Sequence, residues 1–308
     1  MKNSVKILVV GSVNMDLLMH TKRVPLPGET MISEKYQFSP GGKGANQAVA
    51  AAKIGGDTTF VCCIGNDSFG SQLLDSLTLS GVETKYVKKS KSNQSGFAVI
   101  MLEEGGNNRI IVHLASNLDL NKNDIDCAFD ENYDGMIIQF ELQEDIVIYA
   151  CEEARKRNIP FIVDAGPALD FPLEKIYGME ILSPNETETA TLCGITPVTE
   201  DDCKKAAEIL TKRTNAKNIV LKLGDKGAAL YKNGELTFFL AQKITAVDVT
   251  AAGDVFTAAM TVEYLKHGDL AKAIEYANRA GALTVTKAGA QSSIPFKKEV
   301  DDFYNINR

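Results

Sequence analysis

Apolar residues fall along this chain in short continuous runs separated by longer stretches of helical period. Lys6–Val10 and Thr59–Ile64 read as strands, and they flank a helix over Ala45–Ile54 that Gly55-Gly56 terminates. From about residue 134 the alternation repeats. Met136–Phe140 predicts a strand and Glu144–Arg157 an amphipathic helix, and strands follow at Phe161–Asp164, Glu180–Ser183 and Asn218–Leu223. Strands that are apolar throughout belong to parallel sheets covered on both faces. A right-handed crossover is the expected link between the first two.

Two regions break the pattern. Residues 12–40 hold the turn formers Pro25, Pro27, Gly28 and Pro40 and short alternating segments, with no helix. Residues 94–114 predict a hairpin, Gly96–Leu102 with Arg109–Leu114, around Glu-Glu-Gly-Gly-Asn-Asn. A further hairpin turns at Lys232-Asn-Gly-Glu235. The β pieces inserted in an α/β sequence fit a small sheet projecting from the main one, an appendage suited to a lid.

Composition narrows the function classes. A length of 308 residues with 44% apolar and 24% charged residues is ordinary for a globular protein with a substantial core. The net charge of −7 argues against a nucleic-acid binder, which needs a basic face. It leaves room for a small anionic ligand held by helix N-termini. No apolar stretch approaches the ~20 residues of a membrane span, and the run Ile7–Val10, cut by Gly11, is too short for a signal segment. The cysteines at 62, 63, 127, 151, 193 and 203 show no C-x-x-C pair and read as reduced, buried thiols, so the expected compartment is cytoplasmic.

Four segments carry candidate chemistry. Pro40-Gly-Gly-Lys-Gly-Ala-Asn46 leads into a helix; its glycines let backbone approach a ligand, beside the Lys43 cation and the Asn46 amide. It lacks the spacing and the Ser or Thr of a Walker A loop, and its plainer reading is a flexible turn. Gly11-Ser-Val-Asn-Met-Asp16 stands at the carboxyl end of the first strand, where open α/β sheets bind ligands. Asn14 and Asp16 there share one side of an extended segment, a pairing that suits vicinal hydroxyls, or else an Asx turn. Asn185-Glu-Thr-Glu188 is a capping box that could also hold the hydration shell of Mg²⁺.

The fourth segment, Val247-Asp-Val-Thr-Ala-Ala-Gly-Asp254, runs into the helix Val255–Lys266. Small residues before a helix leave amide N–H groups free to form an anion hole. Asp254 at the helix start is either an N-cap or a base taking a proton from an attacking hydroxyl, and the helix dipole should keep its pKa low. His20, His113 and His267 form no metal-ligand spacing and no triad, and no G-x-S-x-G elbow or dinucleotide fingerprint occurs.

In this order and at these separations, Gly41-Gly-Lys-Gly-Ala-Asn-Gln-Ala48 and Asp248-Val-Thr-Ala-Ala-Gly-Asp-Val-Phe256 resemble the signatures of the ribokinase/phosphofructokinase-B carbohydrate kinases, on their ribokinase branch. The resemblance runs from Val9 to Pro295. It implies one domain over 1–308: a three-layer α/β/α core with a mostly parallel sheet, plus a β-sheet lid from segments 12–40 and 94–114 that serves also as a dimer interface. By position, Asn14, Asp16, Gly41, Gly42, Lys43, Asn46 and Glu141 would hold the sugar. Asp254 would deprotonate its 5-hydroxyl, with Ala251, Ala252 and Gly253 as anion hole. Asn185 and Glu188 would organise Mg²⁺ through water.

ATP would lie along Asn185, Lys222, Gly224, Asp225 and Gly227, with Asn278 beside the adenine where many members have histidine. A monovalent cation, usually K⁺, would take Asp248, the Thr250 carbonyl and Ser293, with the Thr284, Lys287 and Gly289 carbonyls as further ligands. The implied reaction is phosphorylation of D-ribose to ribose 5-phosphate by a homodimer. The alternatives are a relative acting on a nucleoside, deoxyribose or another sugar, and a catalytically silent binder. After Phe161–Asp164 the chain has Asp-Ala-Gly-Pro-Ala168 where the branch commonly shows Asn-Pro-Ala-Pro-Ala.

Overall fold

A computed structural model describes residues 4–104 and 108–306. β1 (Lys6–Val10) passes through residues 11–13 into β2 (Asn14–Thr21), and β3 (Lys35–Gly41) follows. Next come α1 (Lys43–Lys53), β4 (Asp57–Ile64), α2 (Ser68–Leu79), β5 (Val87–Lys89), β6 (Gly96–Glu103) and β7 (Asn108–His113). The chain continues through α3 (Lys122–Ala128), β8 (Gly135–Ile138), α4 (Glu144–Lys156), β9 (Phe161–Asp164), β10 (Ile181–Ser183), α5 (Glu186–Cys193) and α6 (Glu200–Thr214). It closes with β11 (Asn218–Lys222), β12 (Ala228–Lys232), β13 (Glu235–Phe239), α7 (Ala252–His267), α8 (Leu270–Thr284) and α9 (Lys297–Ile306).

The main sheet has nine strands in the order β13-β12-β11-β10-β9-β8-β1-β4-β5. It is parallel from β5 to β11, while β12 and β13 add on antiparallel. Successive residues of β1 explain the layers. Ile7 and Val9 join the apolar cluster under α1, α2, α7, α8 and α9, whereas Leu8 and Val10 join the one under α3, α4, α5 and α6. A strand apolar at every position therefore has a helical layer on each side, the expected three-layer arrangement.

The second sheet has four strands in the order β3-β2-β6-β7, with β2 parallel to β6 and the other pairs antiparallel. Residues 12–40, expected only as irregular β-like pieces, thus supply two of its strands. The turn of the hairpin expected over residues 94–114 includes residues 105–107, which lie outside the described residues. The 232–235 hairpin forms with Asn233 and Gly234 both at positive φ, 53° and 86°, as a tight turn between right-twisted strands requires.

Three boundaries shift, each next to the site. The expected strand Met136–Phe140 ends at Ile138, because Phe140 N–H donates to the Gly166 carbonyl at 2.8 Å and so leaves the sheet. Helix α1 starts at Lys43, where Asn46 N–H reaches the Gly42 carbonyl at 2.9 Å. Helix α7 starts at Ala252, after Ala251 in the left-handed region at φ 61°.

Candidate active site

The loop after β8, the carboxyl end of β11, the N-termini of α1, α5 and α7, and the second sheet enclose a cavity of about 760 Å³. At one end, Asn14 and Asp16 of β2 face it with Lys43, Asn46, Glu141 and Asp254, roofed by Ala98, Ile100, Ile110 and Val112 of the second sheet. Gly42 sits at φ 89°, a conformation that disfavours any side chain, and a Cβ on Gly41 would collide with the Asp16 carboxylate. The paired glycines therefore press the loop against the two polar residues of β2. Asn14 and Asp16, two apart on one strand, do share a face.

Asp254 lies at the floor, buried. Its Oδ2 accepts from Asn46 Nδ2 at 2.9 Å and its Oδ1 from Gln47 Nε2 at 3.3 Å, with the Lys43 ammonium at 4.0 Å. Burial pushes its carboxyl up to about 6; Lys43 opposes this and the neighbouring Asp164 reinforces it. Two sequence expectations fail here. Ala251, not Asp254, is the helix cap, and no side chain caps α7. The carboxyl is not held low, because withdrawal from water outweighs the helix dipole.

The surrounding charges form one buried network. Asp164, at the end of β9, accepts from Lys222 Nζ (2.9 Å), Gln47 Nε2 (3.0 Å) and Thr257 Oγ1 (2.8 Å). Burial works against the Asp164 carboxylate, but Lys222 and Lys43 more than compensate and hold its pKa low. Burial likewise disfavours the Lys43 ammonium, yet Asp254, Asp164, Glu141 and Glu188 raise its pKa above the usual lysine range. Among the described residues no such cation accompanies Asp16. Burial, with Glu141 and Asp254 nearby, pushes its carboxyl up to about 8. Glu141 accepts from Ser12 Oγ at 2.5 Å. The buried Asn46 Oδ1 has no partner among the described residues, leaving an acceptor ready for a ligand hydroxyl.

Lys222, Gly224, Asp225, Gly227 and Asn278 line the other end of the cavity with the segment 241–246. Lys222 Nζ is 4.0 Å from Glu188 Oε2 and 3.8 Å from the position of a Cβ on Gly253, so a cation overlies the start of α7. Of the expected anion-hole amides, Ala252 N–H already reaches the Val249 carbonyl at 3.3 Å. Asn185 and Glu188 form the expected capping box, at 2.8 Å in both directions. Glu188 Oε1 remains beside Gly166 and the Lys43 ammonium. Asn278 Nδ2 donates to the Phe239 and Leu240 carbonyls at 3.0 and 3.4 Å, so its amide ties down the chain leaving β13.

Of the expected monovalent-cation residues, Thr284 ends α8 and the others lie on two loops that Asp248 joins. Its Oδ1 accepts from Thr250 N–H and Oγ1 at 2.9 and 2.6 Å, and its Oδ2 from Gly289 N–H at 2.9 Å. The Ser293 hydroxyl donates to the Ala290 carbonyl, the Thr284 hydroxyl to that of Ala280. The Lys287 and Gly289 carbonyls accept no hydrogen bond among the described residues. Lys53 Nζ, on the last turn of α1, reaches the Gln291 and Ile294 carbonyls of the second loop at 3.2 and 3.1 Å.

Residue patterns did not single out Gln47, Thr257 or Asn117, nor Asp164 as part of the site. Gln47 and Asp164 stand inside quoted motifs, but their contacts span 117 positions in sequence and have no periodic signal. Asn117 reaches Val13 and Asn14 from a turn after β7, a contact that only the pairing of β2 with β6 creates.

A buried carboxylate beside helix-terminal amides and lysines, with further polar side chains around it, on a three-layer fold, has the parts that phosphoryl transfer uses. The family model of the pfkB family carbohydrate kinases matches residues 4–297, and the chain belongs to that family. Among its relatives, it is 36% identical to a ribokinase of Schizosaccharomyces pombe, over 99% of both chains. It is also 32% identical to a deoxyribokinase of Salmonella typhi, over 98% of this chain and 99% of that one. Among solved structures it resembles Arabidopsis thaliana ribokinase complexed with ribose and ATP, with a TM-score of 0.87 and 31% identity over 97% of this chain and 98% of that one.

Proposed function

We propose that this chain transfers the γ-phosphoryl group of ATP to the 5-hydroxyl of D-ribose, giving D-ribose 5-phosphate and ADP. The observation that carries the reading is Asp254, a buried carboxylate whose oxygens are oriented by Asn46 and Gln47 on the floor of a cavity lined by polyol-binding groups. The sugar lies against Asn14, Asp16, Gly41, Gly42, Lys43, Asn46 and Glu141. ATP lies along Asn185, Lys222, Gly224, Asp225, Gly227 and Asn278. Asp254 takes the hydroxyl proton as the oxygen bonds to γ-phosphorus, and the β–γ bridging oxygen leaves with ADP. The α7 N-terminus, chiefly Gly253, and Lys222 hold the transferring phosphoryl oxygens. A silent binder has no use for this carboxylate.

Glu188 and Asn185 suit Mg²⁺ held through water, since the capping box leaves one Glu188 oxygen over for a hydrated cation. The ion would neutralise phosphate charge there. The unpaired Lys287 and Gly289 carbonyls, with Asp248, the Thr250 carbonyl, Thr284 and Ser293, suit K⁺, which would stiffen the loop leading to the anion hole. The second sheet serves as the lid of a single kinase domain spanning 1–308. Its exposed Tyr36, Phe38 and Ile111, on the face away from the cavity, support a homodimer through that face. ATP as donor and six unpaired cysteines fit a cytoplasmic enzyme; among the described residues no helix is long and apolar enough to cross a membrane.

The deoxyribokinase among the relatives makes 2-deoxyribose the competing acceptor. A coupled ADP-release assay across ribose, 2-deoxyribose, fructose, adenosine and pseudouridine tests the assignment. Ribose should give the highest kcat/KM, and turnover of another acceptor with none of ribose refutes it.

A further inference from the structure

We infer that Asn117 fixes which way the Asn14 amide faces, and that this orientation makes the site select a sugar hydroxyl over a deoxygenated carbon. Asn117 is a positioning residue, 1% exposed, and its partners leave its own orientation no freedom. Its Oδ1 accepts from the Val13 N–H at 2.9 Å, and its Nδ2 donates to the Val13 and Leu114 carbonyls at 3.1 and 2.9 Å. Backbone groups cannot exchange donor for acceptor. The same Nδ2 meets Asn14 Oδ1 at 2.9 Å, so the Asn14 oxygen is turned away from the cavity. Asn14 Nδ2 then faces the cavity, with no hydrogen bond among the described residues.

A second, independent observation concerns Gly96. It pairs with Asn14 across β2 and β6, and its φ is not in the left-handed region, so the backbone does not demand glycine. Space does. A Cβ there would collide with both Asn14 Oδ1 and Asn117 Nδ2. The position is kept bare where the two amides meet.

The consequence is a matched pair on one strand face, with Asn14 offering N–H donors and Asp16 a carboxyl oxygen as acceptor. A hydroxyl satisfies both at once, its oxygen accepting from Asn14 and its hydrogen going to Asp16. A methylene satisfies neither and leaves two buried polar groups unpaired. With Asn14 turned over, the hydroxyl oxygen would lose its N–H donor and meet another oxygen instead, and the preference would fall.

The inference rests on the placing of the sugar against Asn14. It is tested by kcat/KM for ribose and 2-deoxyribose in the wild type, Asn117→Ala, Gly96→Ala, Asn14→Ala and the Asn14→Ala/Asn117→Ala double variant, with Tm as the check on folding. The ribose-to-deoxyribose ratio should drop about tenfold in Asn117→Ala and in Gly96→Ala, chiefly through ribose. The double variant should discriminate no less than Asn14→Ala alone. An unchanged ratio in folded Asn117→Ala and Gly96→Ala, equal losses for both sugars, or additive losses in the double variant overturn the inference. If Asn117→Ala does not fold, Gly96→Ala, which deletes no hydrogen-bonding group, decides it. If Asn14→Ala itself leaves the ratio unchanged, the sugar placement has failed and the inference falls with it.

Discussion

Asp254 and Asp16 are carboxylates raised by burial, and they face opposite tests. Asp254, at about 6, is mostly ionised at neutral pH and retains appreciable proton affinity, which suits a base in a reaction that transfers the proton late. Asp254→Asn should lower kcat at least ~10²-fold while ribose binding stays measurable by calorimetry; an undiminished kcat places the base elsewhere. In the wild type kcat/KM should decline as pH falls through about 6. Asp16 carries a cost to the fold. With its pKa raised from 3.8 to about 8, the folded protein holds a proton that the unfolded chain releases above pH 4. The site's contribution is therefore complete below pH 4 and is lost as pH rises through 8. Asp16→Asn should raise Tm by at least ~3 °C at pH 9 and hardly at all at pH 4, with sugar binding impaired. That these residues would meet at one cavity was legible in the motifs. Their proton affinities were not, because the helix dipole is a local property and desolvation depends on the whole enclosure.

At the scale of elements, β9 ends in Asp164, where the resemblance read from the sequence leads to asparagine being expected. Asp164 holds Lys222 and shares Gln47 with Asp254. Asp164→Asn removes a negative neighbour of the base and loosens Lys222. The acid limb of kcat/KM should then move down by roughly half a unit or more, and a limb that stays in place would show that Asp164 does not act on Asp254. Strands and helices were largely legible because apolar runs and glycine stops are local signals. Strand ends at the site were less so. Phe140 leaves its sheet for the Gly166 carbonyl, and Ala251 takes a left-handed conformation, through contacts with segments distant in sequence or demands of the loop.

At the scale of the molecule, two sheets meet over one cavity, and the outer one leaves Tyr36, Phe38 and Ile111 uncovered. Phe38→Asp should shift the protein from dimer to monomer in analytical ultracentrifugation; a wild type that sediments as a monomer removes that interface. Replacing K⁺ by Na⁺ or Tris should reduce activity severalfold, and indifference would dismiss the cation. The unbroken apolar run of β1 foretold the three layers, since each residue had to find apolar cover. How residues 12–40 and 94–114 assemble could not be read from either segment, because β2 pairs with β6 across 82 positions, Asn14 with Gly96.

The division of the sugar end between sheets has one more consequence. Asn14 and Asp16 belong to the outer sheet, Asn46 and Asp254 to helices of the core. A displacement of one sheet from the other would not uncover a finished receptor; it would take the receptor apart. The ligand is in effect the mortar between two half-sites, and a molecule that bonds to only one half leaves the base without a target.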